Sequence, residues 1–130
     1  MIGTKFYCGG DGSVHMRLLG HAGAAPRGKD LVCAGASALA CTLGAAVERM
    51  YEQRMLRRCP RVELEEGRAE IIAVPKKRFR QEVLMVFWTV QTGLGGLAES
   101  FPGNVRMEET MQISYQNDGS IGARPNSRSF

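Results

Sequence analysis

The chain is poor in metal ligands and in cross-linking residues. It has two histidines, His15 and His21, and four cysteines, Cys8, Cys33, Cys41 and Cys59. No two cysteines form a CxxC pair, which excludes a zinc knuckle and a thioredoxin-type redox motif. A metal site would have to be assembled from distant parts, and no metal or other cofactor is expected. No uninterrupted apolar run reaches the ~18 residues of a membrane span. Met1-Ile2-Gly3-Thr4-Lys5 contains no apolar signal segment, so a cytoplasmic protein with free thiols and no membrane partner is expected. Aromatics make up only 7% of the residues and the chain shows no nucleic-acid-binding motif with interleaved aromatics, so nucleic acid is not an expected partner. The net charge of +4 is modest. Its densest stretch, Lys76-Lys77-Arg78-Phe79-Arg80, reads as a solvated loop or helix start. The rival reading is attraction to nucleic acid or a ribosome-associated partner.

What is present is the pattern of a small α+β domain. With 130 residues, one domain is expected, able to bury roughly 65–70% of its unfolded surface without staples. Residues 2–8 and Val14 to Leu19 read as strands joined by the turn Gly9-Gly10-Asp11-Gly12-Ser13. His15 lies on the second strand, where a surface or cross-strand role is expected. From Asp30 the apolar spacing becomes helical, carried by Ala34, Ala36, Leu39, Ala40, Leu43, Val47 and Met50, with Pro60 as its limit. Val62 to Glu65 and Ala69 to Val74 flank Glu66-Gly67-Arg68 as a second hairpin. Val83 to Leu97 reads as a second helix, stopped by Phe101-Pro102-Gly103-Asn104. Val105, Met107, Met111 and Ile113 belong to a last strand with an irregularity near Glu108-Glu109. From Asn117 onward the composition of Gly, Asn, Ser, Arg and Pro reads as a disordered tail, residues 117–130. The order ββ-α-ββ-α-β implies a two-layer α+β sandwich over residues 1–116, with two main helices on one face of a mixed sheet of about five strands.

Two residues twelve positions apart are able to do chemistry together. His21 lies in Gly20-His21-Ala22-Gly23, just past a strand. Cys33 lies in Asp30-Leu31-Val32-Cys33-Ala34, at a helix start. A cysteine attacks as its thiolate, and a free thiol near pKa 8.5 is mostly protonated at neutral pH. If Asp30 is the N-cap, Cys33 is the third helical residue, where unpaired amides and the helix dipole favour a negative sulfur. A nearby histidine takes the proton and returns it to a leaving amine. The same amides are candidate oxyanion donors. Ser37, one turn beyond Cys33, is placed to position the thiolate or substrate. Asp30 is either a cap alone or also the group that orients His21. Packed cysteines near helix starts are common, so the rival reading treats Cys33 as core. The loop between them, with Gly23 and Gly28, carries no long apolar residue.

One tempting motif fails. Gly23 to Lys29 fits GxxxxGK between a strand and a helix, as a phosphate-binding loop does. The next residue must be Ser or Thr to hold magnesium; here it is Asp30, whose carboxylate repels phosphate. Pro26 also removes a cradle amide.

With Gly20-His21-Ala22 and Asp30-Leu31-Val32-Cys33-Ala34-Gly35-Ala36-Ser37 in view, residues 1–116 resemble the bacterial ribosomal-processing cysteine proteases, the Prp family. The opening hairpin with its Asp-Gly turn and the stretch Gly93 to Val105, with Phe-Pro-Gly-Asn-Val, fit as well. The resemblance implies a His21–Cys33 catalytic dyad, supporting roles for Asp30 and Ser37, and a mobile, substrate-binding loop containing Gly23 and Gly28. It also implies removal of the N-terminal segment of a large-subunit ribosomal protein, and a homodimer. The alternative is a non-catalytic ribosome- or RNA-associated module of the same fold.

Overall fold

The computed structural model describes residues 1–26, 30–115 and 121–126. Its elements run β1 (Ile2–Cys8), β2 (Val14–Leu19), α1 (Leu31–Glu52), β3 (Arg61–Glu65), β4 (Arg68–Ala73), α2 (Arg80–Ser100), β5 (Val105–Tyr115) and β6 (Ile121–Asn126). They form an α+β sandwich: a mixed sheet of order β3-β4-β2-β1-β5-β6, with both helices packed on one face. β1 pairs parallel with β5, and the other pairs are antiparallel. The sheet thus has the five expected strands and one more.

Alternation decides which face is covered. Ile2, Thr4 and Phe6 on β1, Val14, Met16 and Leu18 on β2, and Ala69, Ile71 and Ala73 on β4 are buried, while their neighbours are partly exposed. Against them lie Val32, Ala36, Ala40, Leu43, Gly44 and Val47 of α1, and Val83, Leu84, Phe87, Val90 and Leu94 of α2. By length and composition alone α1 is apolar enough to cross a membrane, which a count of uninterrupted apolar residues misses. Here its buried stripe is packed on the sheet. Buried Gln91 ties α2 to β5: its amide donates to the Met111 carbonyl at 2.8 Å and accepts from the Met111 N–H at 2.7 Å.

Three boundaries differ from the sequence reading. α1 ends at Glu52, well before Pro60, because the chain reverses through Arg54 at φ +60° and Leu56 docks beside Pro75. α2 starts earlier, continuing from a 3-10 turn at Lys77–Phe79. Part of the basic stretch is thereby used internally: the Arg78 guanidinium sits 4.6 Å over the Phe79 ring and Arg80 donates to the Gly12 carbonyl at 3.3 Å. Residues 121–126 of the expected tail form β6, paired from Thr110↔Asn126 to Tyr115↔Ile121. Without β6, the 11-residue β5 would expose a full row of unpaired backbone groups, and an extended segment satisfies them whatever its composition. The remaining tail positions, 117–120 and 127–130, lie outside the described residues. The irregularity near Glu108-Glu109 is a bulge: Thr4 pairs with Met107 and Lys5 with Glu109, leaving Glu108 as the extra residue.

His15 takes the cross-strand role. It is opposite Tyr7 in the β1–β2 register, stacks on its ring at 4.4 Å, and bonds Ser13 Oγ at 2.7 Å.

Candidate active site

The site forms where three chain segments end together. β2 pairs with β4 up to Leu19↔Arg68. Gly20 then turns the chain at φ +102°, where a Cβ would collide with the Met1 carbonyl oxygen. Its N–H donates to the Gly67 carbonyl at 2.9 Å, tying the exit of β2 to the β3–β4 turn. His21 follows and is exposed. Its imidazole lies against Gly67: a Cβ on that residue would sit 2.8 Å from His21 Nε2. Gly67 also has φ +73°, so the turn requires glycine twice over.

Ala22 is buried and links the two halves. Its N–H donates to Cys33 Sγ at 3.1 Å, and its carbonyl accepts from Asn104 Nδ2 at 2.8 Å. The Asn104 carbonyl in turn accepts from the Ile2 N–H at 2.9 Å. Asn104 lies in a stretch read from sequence only as a helix stop and as part of the resemblance. No spacing rule points to its contact with a residue 82 positions away.

Asp30 is the N-cap of α1. Its Oδ1 accepts the Cys33 N–H at 3.0 Å and its Oδ2 accepts the Ala24 N–H at 3.0 Å. Both oxygens are therefore engaged by backbone, which favours cap and loop anchor over orienting His21. These backbone donors, that of Cys33 foremost, hold the Asp30 carboxyl below the ordinary carboxylate range. The Cys33 amide, a candidate oxyanion donor by sequence, is occupied by Asp30. The Ala22 amide, aimed at the sulfur, was not foreseen as a donor.

Cys33, His21, Asp30, Ser37 and Gly23 all line one cleft of about 720 Å³. Its walls are the first three turns of α1 and the β3–β4 hairpin. Small residues on α1, among them Ala34, Ala36 and Ala40, leave this space open, and Leu18 and Leu64 make it largely apolar. Cys33 is part-exposed in the wall and Ser37 is exposed one turn along. Gly28 lies outside the described residues. A second cleft of about 630 Å³, between α2 and β5, is lined by no cysteine or histidine. Among the described residues no group of three or more His, Cys, Asp or Glu is arranged to hold a metal ion.

Burial distinguishes the thiols. Cys8, half-buried behind Met111, has its thiol pushed up by desolvation, partly opposed by the Arg80 guanidinium. Cys41 and Cys59 are exposed.

Comparison with known proteins gives a consistent picture. A family model described as "Cysteine protease Prp" matches residues 1–106. No curated protein matches the chain. Among solved structures, an essential ribosomal processing protease Prp from S. aureus, in complex with a covalently linked product peptide, is 24% identical. The match covers 82% of this chain and 97% of that one, with a TM-score of 0.64. The S. aureus protease with a substrate peptide is 21% identical over 82% and 97% of the two chains, TM-score 0.57. SMU.848 from Streptococcus mutans is 27% identical over 81% and 90%, TM-score 0.57. The two S. aureus likenesses establish a shared fold.

Proposed function

The chain belongs to the Prp cysteine proteases, and from that premise we propose that it removes the N-terminal extension of a large-subunit ribosomal protein. Cys33 is the nucleophile and His21 the general base. The observation that carries this reading is the shared cleft, in which both side chains sit and the N–H of the residue after His21 points at the Cys33 sulfur. The S. aureus relatives, ribosomal processing proteases holding substrate and product peptides, support the substrate class.

The chemistry follows from these groups. His21 takes the Cys33 thiol proton and the sulfur attacks the scissile carbonyl carbon, placing negative charge on its oxygen. The Ala22 N–H, which donates to the sulfur before attack, lies beside the tetrahedral centre that forms on that sulfur and is the donor proposed to pass to this oxyanion. Collapse expels the amine, which takes the proton from His21, and leaves a thioester on Cys33. Water then attacks the thioester while His21 accepts its proton. Release of the carboxylic acid returns that proton to the sulfur.

Asp30 fixes the helix start that presents Cys33 and anchors the loop at Ala24. Ser37 offers a hydroxyl to the thiolate or the substrate. Gly23, at φ +70°, lies in the loop that by the family resemblance binds substrate. Residues 1–116 form the protease domain. By the family resemblance the enzyme is a cytoplasmic homodimer, which light scattering of the purified chain checks. The non-catalytic ribosome- or RNA-associated reading needs Cys33 fully packed in the core, whereas the residue is only partly buried and lines a cleft.

The test is incubation with the extended N-terminal peptide of the ribosomal protein and mass measurement of the products. Cleavage at one bond is expected, with loss of turnover in Cys33→Ala and in His21→Ala while each keeps the wild-type circular dichroism spectrum. Undiminished cleavage by Cys33→Ala refutes the nucleophile.

A further inference from the structure

From the geometry of the sheet edge we propose that the substrate binds as an added β-strand on the outer edge of β3, its backbone paired with Leu64 and Val62. This rests on the protease reading above and states how that substrate lies. Among the described residues β3 is the terminal strand of the sheet and pairs only with β4. The β3–β4 hairpin closes on the pair Glu65↔Arg68 with a two-residue turn, Glu66-Gly67. In such a turn the first flanking residue bonds the last, so Glu65 directs its backbone groups inward to β4. Antiparallel ladders alternate. Glu63 and Arg61 therefore also face inward, while Leu64 and Val62 direct their N–H and C=O groups outward. Extended main chain satisfies such an edge by strand addition.

Three observations make the occupant the substrate. The cleft that holds Cys33 and His21 is lined by Leu64 and Glu65, so the edge opens into the site. The turn at the end of β3 touches His21 through Gly67, so a chain following the edge toward that turn arrives at the imidazole. The two sides of β3 also differ: Val62 and Leu64 point to α1, where they approach Gly44, whereas Arg61 and Glu63 form ion pairs on the other side. Leu64 remains 44% exposed, an apolar surface on the cleft side with nothing over it among the described residues. A strand laid here turns every second side chain toward α1, over the open floor made by Ala40 and Cys41.

The test is a set of substrate peptides, each carrying one backbone N-methyl group, assayed for kcat/KM on the wild-type enzyme. Two positions separated by one residue should each lose about 3- to 10-fold, the worth of one net hydrogen bond, with the position between them unaffected. A profile without that two-residue alternation overturns the proposal. Leu64→Pro removes the outward N–H without touching the ladder to β4, a place where an edge strand tolerates proline. Its KM should rise beyond that of Leu64→Ala with kcat held; equal KM values in two folded variants overturn the pairing. If Leu64→Pro does not fold, the peptide series decides alone. A parent peptide that is not cleaved refutes the proposed function and this inference with it, whereas a cleaved parent with a flat series refutes only strand addition.

Discussion

Replacing Gly67 by alanine separates backbone strain from catalysis. Gly67 sits at φ +73°, where an L side chain costs about 1–2 kcal/mol. With an unfolding entropy of about 2.1 cal/mol/K per residue, that corresponds to a fall in Tm of about 4–7 °C for this chain. The new Cβ would also lie 2.8 Å from His21 Nε2, against an ordinary contact of 3.4–4 Å. The imidazole, free on its exposed side, must recede by about 0.6 Å. Misplacing a reacting group by an ångström costs on the order of 10²-fold, so kcat/KM should fall by about 10- to 100-fold. Gly12→Ala supplies the control. It shares the left-handed backbone, at φ +85°, but its Cβ meets nothing within 4 Å and it lies at the distant β1–β2 turn. The two variants should lose similar Tm by calorimetry, with only Gly67→Ala losing turnover in the peptide assay. Equal kcat/KM in both would refute Gly67 as the backstop of His21.

Gln91→Leu leaves the Met111 N–H and C=O buried without partners, and should cost about 2–4 kcal/mol in urea unfolding while the folded enzyme keeps its kcat. Asp30→Ala should lower both Tm and kcat/KM, because the cap on Cys33 and the anchor on Ala24 vanish together; Asp30→Asn, which keeps an acceptor for the Cys33 amide, should recover most of the Tm. The hydroxyl and N–H of Ser13 pull the Asp11 carboxyl down to about 2 from 3.8. A depressed carboxylate stabilises the fold above its unfolded pKa, and the contribution is lost as pH falls through the folded one. The Tm gap between wild type and Asp11→Asn should therefore be full above about pH 4 and close toward pH 2; a gap that persists at pH 2 would contradict the assignment.

Five strands, two helices and their order were legible because each is written in local periodicity: alternation in Val14 to Leu19, helical spacing from Val32 to Val47. The Asp30 cap was legible too, since a carboxylate before a helical run has one favoured use. The bulge at Glu108 showed as two charges in a strand that otherwise alternates. β6 was not legible, because its sequence carries no alternation and its partner groups belong to β5. The end of α1 was misread for a similar reason. The reversal at Arg54 is set by Leu56 docking beside Pro75, a contact across the fold.

The sequence by itself determined the reactive groups: a histidine at a strand exit, a cysteine at the third position of a capped helix, and small residues on α1 that keep the wall beside it open. Tertiary structure alone decided what surrounds them. Asn104 reaches Ala22 across the sheet, Gly67 meets the imidazole from another hairpin, and β3, the edge strand among the described residues, borders the cleft. Capping and periodicity act within a few residues, so they are written along the chain. A hydrogen bond between residues 82 positions apart exists only once the sheet has brought its ends together.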